Sequence, residues 1–239
     1  MSESNHIYGL THVADIIANA PDQIQRLWLE PGKATDALAG LASQAGVVVV
    51  RVERVKLVEL AGDRARHAVA ELRPFDYVEV DDLLAGCGPE AVVLALDSVT
   101  DPGNLGAILR SARFFGAAGV ILPKDRSVLV NATVLKRSAG AALGVPIARV
   151  TNLSRSLRAL KEHEFWIYGS VAKGGVALGS EAFAPRSCLV LGAEGAGIRP
   201  GVLKECDVRV TLFGQWESLN VASFAAVLLH EAMRFPKSS

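Results

Sequence analysis

Cysteine is scarce in this chain, and what there is lacks any metal or redox spacing: Cys87, Cys188 and Cys206 are the only three among 239 residues. An odd count without C-x-x-C argues against a disulfide framework or a cysteine-based zinc site. It suits a reducing compartment, so a cytoplasmic location is expected. The five histidines are scattered without ligand spacing, so no metal is expected. No run approaches the ~18 consecutive apolar residues of a membrane span, so no membrane partner is expected. The opening MSESNHIYGL has neither a basic region nor an apolar stretch, so no secretory signal is expected. G-x-G-x-x-G after a strand, the P-loop, the G-x-S-x-G elbow and paired carboxylates are all missing, which disfavours a dinucleotide oxidoreductase and removes the motifs of a nucleotide hydrolase or α/β-hydrolase. Net charge is missing too: 25 basic and 25 acidic side chains cancel. A neutral total argues against a nucleic-acid binder only as long as its distribution is ignored.

Half of the residues are hydrophobic and 21% are charged, so a sizeable core can form. The charge is unevenly spread along the chain. Residues 1–90 carry 8 basic and 14 acidic groups, and residues 91–239 carry 17 and 11. Within 103–160, Arg110, Arg113, Lys124, Arg126, Lys136, Arg137, Arg149, Arg155 and Arg158 face only Asp125. Such asymmetry points either to contact with a polyanion or to basic faces of several helices scattered in space.

The first 73 residues read as a small α/β domain. Val13, Ile16 and Ile17 lie at helical spacing within 7–20, an Ala/Leu helix spans 33–45, and β-branched Val47–Val50 reads as a strand. Residues 26–30 are a short apolar run, 54–60 look helical, and 67–73 alternate as a strand. Residues 74–90, acidic and interrupted by Pro74, Gly86, Gly88 and Pro89, read as a linker. From 91 to 239 strands alternate with helices: strands at 91–96, 119–122, 146–150, 165–170, 187–191 and 208–212, and helices at 104–115, 131–142, 152–163 and 219–234. That rhythm implies a mostly parallel sheet with ligands at the carboxyl ends of its strands.

Three loops at strand ends hold the polar residues of interest. After strand 91–96 comes Asp97-Ser-Val-Thr-Asp-Pro-Gly-Asn104, where Pro102 and Gly103 make a turn and Asn104 is placed to cap a helix that carries Arg110. After strand 187–191 comes Gly192-Ala-Glu194-Gly195-Ala-Gly197, three glycines around one carboxylate. Before the last helix stand Ser218, a good N-cap, and Asn220, expected inside the first turn, where Asn has poor helix propensity. Each feature also admits a bland reading: a capped helix with an exposed Arg, a flexible connection, and local backbone bonding.

In their order and wording, LALDSVTDPGNLGAILRSARFFGAAGVIL (94–122), NATVLKRSAGAALGVPI (131–147), LVLGAEGAGI (189–198) and SLNVASFAAVLLHEAMR (218–234) resemble the SpoU, or TrmH-like, branch of the SPOUT superfamily. The likeness covers most of 91–234. It implies a parallel α/β sheet closed by a C-terminal trefoil knot, and HIYGLTHVADIIANAP resembles the small L30e-like domain that precedes it in many members. It further implies transfer of a methyl group from S-adenosylmethionine to a ribose 2′-hydroxyl of RNA, without a metal and by a homodimer. The first substrate expectation is a guanosine of 23S ribosomal RNA and the second is transfer RNA; a non-catalytic RNA-binding SPOUT protein is the alternative from another class. Carried over residue by residue, Asn104, Arg110, Glu194, Ser218 and Asn220 match the catalytic positions, and Gly192, Gly197, Leu212 and Leu219 match the cofactor cradle. The stretch 208–217 departs from the family in lacking a Pro-Met pair and in being about two residues short.

Overall fold

The computed structural model describes residues 5–180, 182–215 and 219–234. Its elements, in chain order, are β1 (His6–Tyr8), α1 (Leu10–Asn19), β2 (Ile24–Leu29), α2 (Lys33–Gln44), β3 (Val49–Arg51), α3 (Arg54–Ala61), β4 (Ala68–Leu72), α4 (Val80–Ala85), β5 (Ala91–Asp97) and α5 (Pro102–Phe115). They continue with β6 (Gly119–Pro123), α6 (Ala132–Arg137), β7 (Ile147–Val150), α7 (Leu153–Glu162), β8 (Trp166–Ser170), β9 (Val176–Ala177), β10 (Arg186–Gly192), α8 (Pro200–Leu203), β11 (Val208–Thr211) and α9 (Val221–Ala232). The chain forms two compact units: Met1–Asp76 with Leu129–Gly144, and Tyr77–Val128 with Val145–Ser239.

The first unit holds a four-stranded sheet in the order β1-β4-β2-β3, antiparallel except for the β2–β3 pair. The helical spacing of Val13, Ile16 and Ile17 is realised in α1, and all three are buried. The short strand β1 before it was hidden inside the helical pattern, because three residues are too few to show alternation. Segment 129–144, placed with residues 91–239 by the chain's α/β rhythm, belongs to this unit. Lys136 sits over the Tyr8 ring at 4.5 Å, and a β-carbon on Gly140 would touch Ile16. The expected 131–142 helix ends at Arg137, because Ala139 (φ 50°) and Gly140 (φ 78°) turn left-handed.

The second unit is built on an entirely parallel seven-stranded sheet in the order β7-β6-β5-β10-β8-β11-β9. Central β5 and β10 are buried along almost their whole length, which is why AVVLAL and CLVL read as unbroken apolar runs rather than alternating ones. The stretch read as a linker is part of this unit. Val78 bridges Ala148, and α4 inserts Leu83 and Leu84 into the core beside Ala91, Val93 and Ile121. Gly119 is required there, since a β-carbon would lie 2.5 Å from Leu83 Cδ1. The acidic residues of α4 misled the pattern because they fill its solvent-facing side.

Regrouping the sequence by unit removes the charge asymmetry. The first unit carries 10 basic and 10 acidic residues and the second carries 15 of each. Lys136 and Arg137 leave the basic segment for the first unit. Arg158 is paired with Glu205, an acid from outside that segment. A window along the chain cannot see acids brought in from 40 residues away.

Candidate active site

The polar loops lie at the carboxyl ends of β5, β10 and β11, the edge of a parallel sheet where side chains from several loops converge. Helix α5 begins with Pro102 at its first turn, and Asp101 is its N-cap, accepting the Asn104 backbone N–H at 2.7 Å. Asn104 therefore does not cap. With its backbone satisfied by Asp101, its side chain is free to face the other loops.

Asn104 Nδ2 donates to Glu194 Oε2 at 3.4 Å, and Asn220 Nδ2 donates to Asn104 Oδ1 at 2.9 Å. One hydrogen-bonded chain thus joins all three loops, across 90 and 116 residues of sequence. Asn220 is not inside the first turn: it is the N-cap of α9, accepting the Ala222 N–H at 2.9 Å, which resolves its poor helix propensity. Ser218, expected to be that cap, lies outside the described residues. Arg110 is exposed on α5, six residues beyond Asn104, which is about 9 Å along the axis and a third of a turn away. Its side chain has no hydrogen bond or ion pair among the described residues, and neither Asn104 nor Glu194 contacts it.

The glycines of the second loop answer a close approach of backbone. A β-carbon on Gly192 would fall 2.0 Å from the Gly197 carbonyl carbon and 2.2 Å from Ile198 N. The loop folds back on itself there: Ala193 N–H donates to Gly197 O at 3.1 Å and Gly197 N–H to Ala193 O at 2.8 Å. Gly197 itself is left-handed at φ 67°. At the third loop, Leu212, Phe213 and Leu219 are 36%, 71% and 51% exposed, an apolar surface at the end of β11 and the start of α9.

Beneath these loops is a pair that the sequence patterns missed. Asp97 ends β5 with no solvent exposure. Its Oδ2 accepts the Arg199 backbone N–H at 2.7 Å, and its Oδ1 accepts Arg199 Nε at 2.7 Å and lies 2.6 Å from Nη2. The signal was present: a lone acid closing the apolar run LALD must find a partner if it is buried.

Four cations share the same sheet edge. Lys124 and Arg126 follow β6, Arg155 lies in the first turn of α7, and Arg199 lines an open hollow of about 300 Å³ with Thr151, Asn152 and Ser154. The cysteines are elsewhere. Burial pushes the Cys206 thiol up to about 11 and raises that of Cys188 further, so neither is a nucleophile. Among the described residues there is no group of three or more His, Cys, Asp or Glu side chains able to hold a metal, and no helix long and apolar enough to cross a membrane.

A tight glycine loop and a polar trio at the carboxyl edge of a parallel sheet mark the place where α/β enzymes bind their ligands. Residues 91–230 match the SpoU rRNA methylase family, and the chain belongs to it. The chain is 39% identical to the 23S rRNA (guanosine-2′-O-)-methyltransferase RlmB of Xanthomonas campestris pv. campestris, covering 98% of each protein. It is 36% identical to the protein of the same name in Escherichia coli K12, covering 97% of this chain and 98% of that one. Among solved structures it is similar to an AdoMet-bound rRNA methyltransferase from Sinorhizobium meliloti, with a TM-score of 0.75 and 25% identity over 98% of this chain and 88% of that one.

Proposed function

We propose that the protein transfers a methyl group from S-adenosylmethionine to the ribose 2′-hydroxyl of a guanosine in 23S ribosomal RNA. The observation that carries this reading is the hydrogen-bonded chain Glu194–Asn104–Asn220, gathered from three loops beside the Gly192 cradle. Near full-length likeness to proteins named for that reaction supports the substrate.

The residues present fit the cofactor. Gly192 lets the backbone of Gly197 and Ile198 close against the end of β10, which keeps the loop tight and low, and the exposed Leu212 and Leu219 offer an apolar bed for an aromatic base. Gly192, Gly197, Leu212 and Leu219 are the residues that would hold it. When bound, S-adenosylmethionine supplies a methyl group already activated on a sulfonium, so no metal is needed.

What the chain adds is positioning of a weak nucleophile. Asn104 and Glu194 orient the ribose: an amide and a carboxylate can both bond a hydroxyl, and their loose 3.4 Å contact yields readily to it. Arg110, exposed and without a partner among the described residues, receives the target nucleotide. Guanidinium groups stay protonated, so Arg110 is not a base. It lowers the cost of the forming alkoxide electrostatically, or gathers a phosphate oxygen that takes the proton. Lys124, Arg126 and Arg155 extend the same edge as a grip for RNA phosphates.

A homodimer belongs to the same reading. It is supported by Phe114 on α5, 81% exposed, and by Val227 on α9, 38% exposed, on two helices that pack together. So do the trefoil knot, which the likeness to the SpoU branch implies, and an L30e-like first unit, which is supported by its mixed sheet and its flanking helices. A cytoplasmic location accords with an rRNA substrate and free thiols.

Mapping 2′-O-methyl groups in 23S rRNA from a strain lacking the gene tests the reading. One guanosine should lose its methyl group and regain it on complementation. Loss from transfer RNA instead would reassign the substrate, and no loss anywhere would remove the enzyme.

A further inference from the structure

We propose that Asp97 and Arg199 are the positioning pair of this site, setting the height of loop 192–199 and thereby the place of Glu194; the catalytic consequence rests on the function proposed above. Asp97 stands beside that loop at its entry and binds it at its exit. At the entry, Gly192 is its register partner across the β5–β10 pair. At the exit, its carboxylate takes the backbone N–H, Nε and Nη2 of Arg199. Between these anchors the Ala193–Gly197 pairing closes the loop into a tight arch with Glu194 near its top.

Glu194 has little of its own to fix it. It is exposed, and its contact to Asn104 is long. Its position is therefore imposed from the base of the arch. That base is the strongest kind of contact available, charge-assisted, forked and fully desolvated on the carboxylate side. Asp97 also begins the loop that leads to Asn104, and Ser98 beside it is held left-handed at φ 68°, an unusual conformation for a non-glycine residue. The loops that carry Asn104 and Glu194 thus start side by side, at the Asp97–Gly192 register pair.

Asp97→Asn tests this, because the amide keeps the shape but turns a donor toward the Arg199 fork. Methyl transfer to a 23S rRNA transcript and amide hydrogen exchange are read together. The kcat should fall at least tenfold in the natural background and less than threefold when Glu194 is already Ala. The Ala193 and Gly197 amides, which close the arch, should exchange at least tenfold faster while Leu94 in β5 is unchanged. An equal kcat loss in both backgrounds, or unchanged exchange in the loop, overturns the proposal. Should Asp97→Asn fail to fold, Arg199→Lys keeps the charge but loses the fork and must show the same non-additivity. The exchange arm needs no turnover, so a natural protein that methylates no RNA defeats the proposed function while the positioning pair is still decided.

Discussion

The Asp97–Arg199 pair and the Glu194–Asn104–Asn220 chain are both polar clusters built from distant segments, and they are opposites. The first is desolvated on its carboxylate side, short and forked, with contacts of 2.6–2.7 Å. The second is largely open to water, with one ordinary bond and one long one. A buried charge left alone costs several kcal/mol, so the pair has one arrangement. An exposed amide or carboxylate can trade its partner for water or substrate at a net cost of about 1 kcal/mol. The site is thus stiff at its base and adjustable where a ribose would sit.

The contrast is sharpest for truncations. Asp97→Ala should destabilise the protein toward the lower end of the ~3–5 kcal/mol expected for a broken buried pair, since Arg199 keeps 39% of its side chain in solvent. Glu194→Ala should shift stability by no more than about 0.5 kcal/mol. Urea unfolding of both variants checks this, and equal losses would erase the distinction. Asn220→Ala falls between, because it removes an N-cap as well as a site contact: about 1 kcal/mol from the cap, with loss of turnover besides. Arg158→Ala, which breaks a surface ion pair with Glu205, should lower the unfolding free energy by less than about 1 kcal/mol.

The smallest effect concerns half-buried His12 in the first unit. Burial, and then the charge of Lys136, lower its pKa from the usual value near 6.5. The unfolded chain then takes up a proton before the folded one does. The stability of the unit is accordingly full above about pH 6.5 and declines as pH falls below it. An NMR titration should place His12 below 6.5, and Lys136→Met should move it back up.

Much of the second unit was legible before folding. Residues 91–96 and 187–191 are uniformly apolar because a parallel strand covered on both faces has no solvent side to mark. Asn104, Glu194 and Asn220 were found because they sit in distinctive loops. Their individual roles were less legible. The sequence places Asn104 as a cap and Asn220 in a first turn, whereas capping by Asp101 and the start of α9 at Val221 depend on backbone angles that residue type only biases.

By itself the sequence determined the alternation of strands and helices, the family, and the polar residues at the strand ends, since these follow from local pattern and order. Tertiary structure alone decided that residues 129–144 join the first unit, that each unit is neutral, and that Asp97 meets Arg199 across 102 positions. The physical reason is common to all three. Burial and Coulomb attraction act through distance in space, and a lone aspartate or a run of arginines carries no mark of which residue will stand beside it.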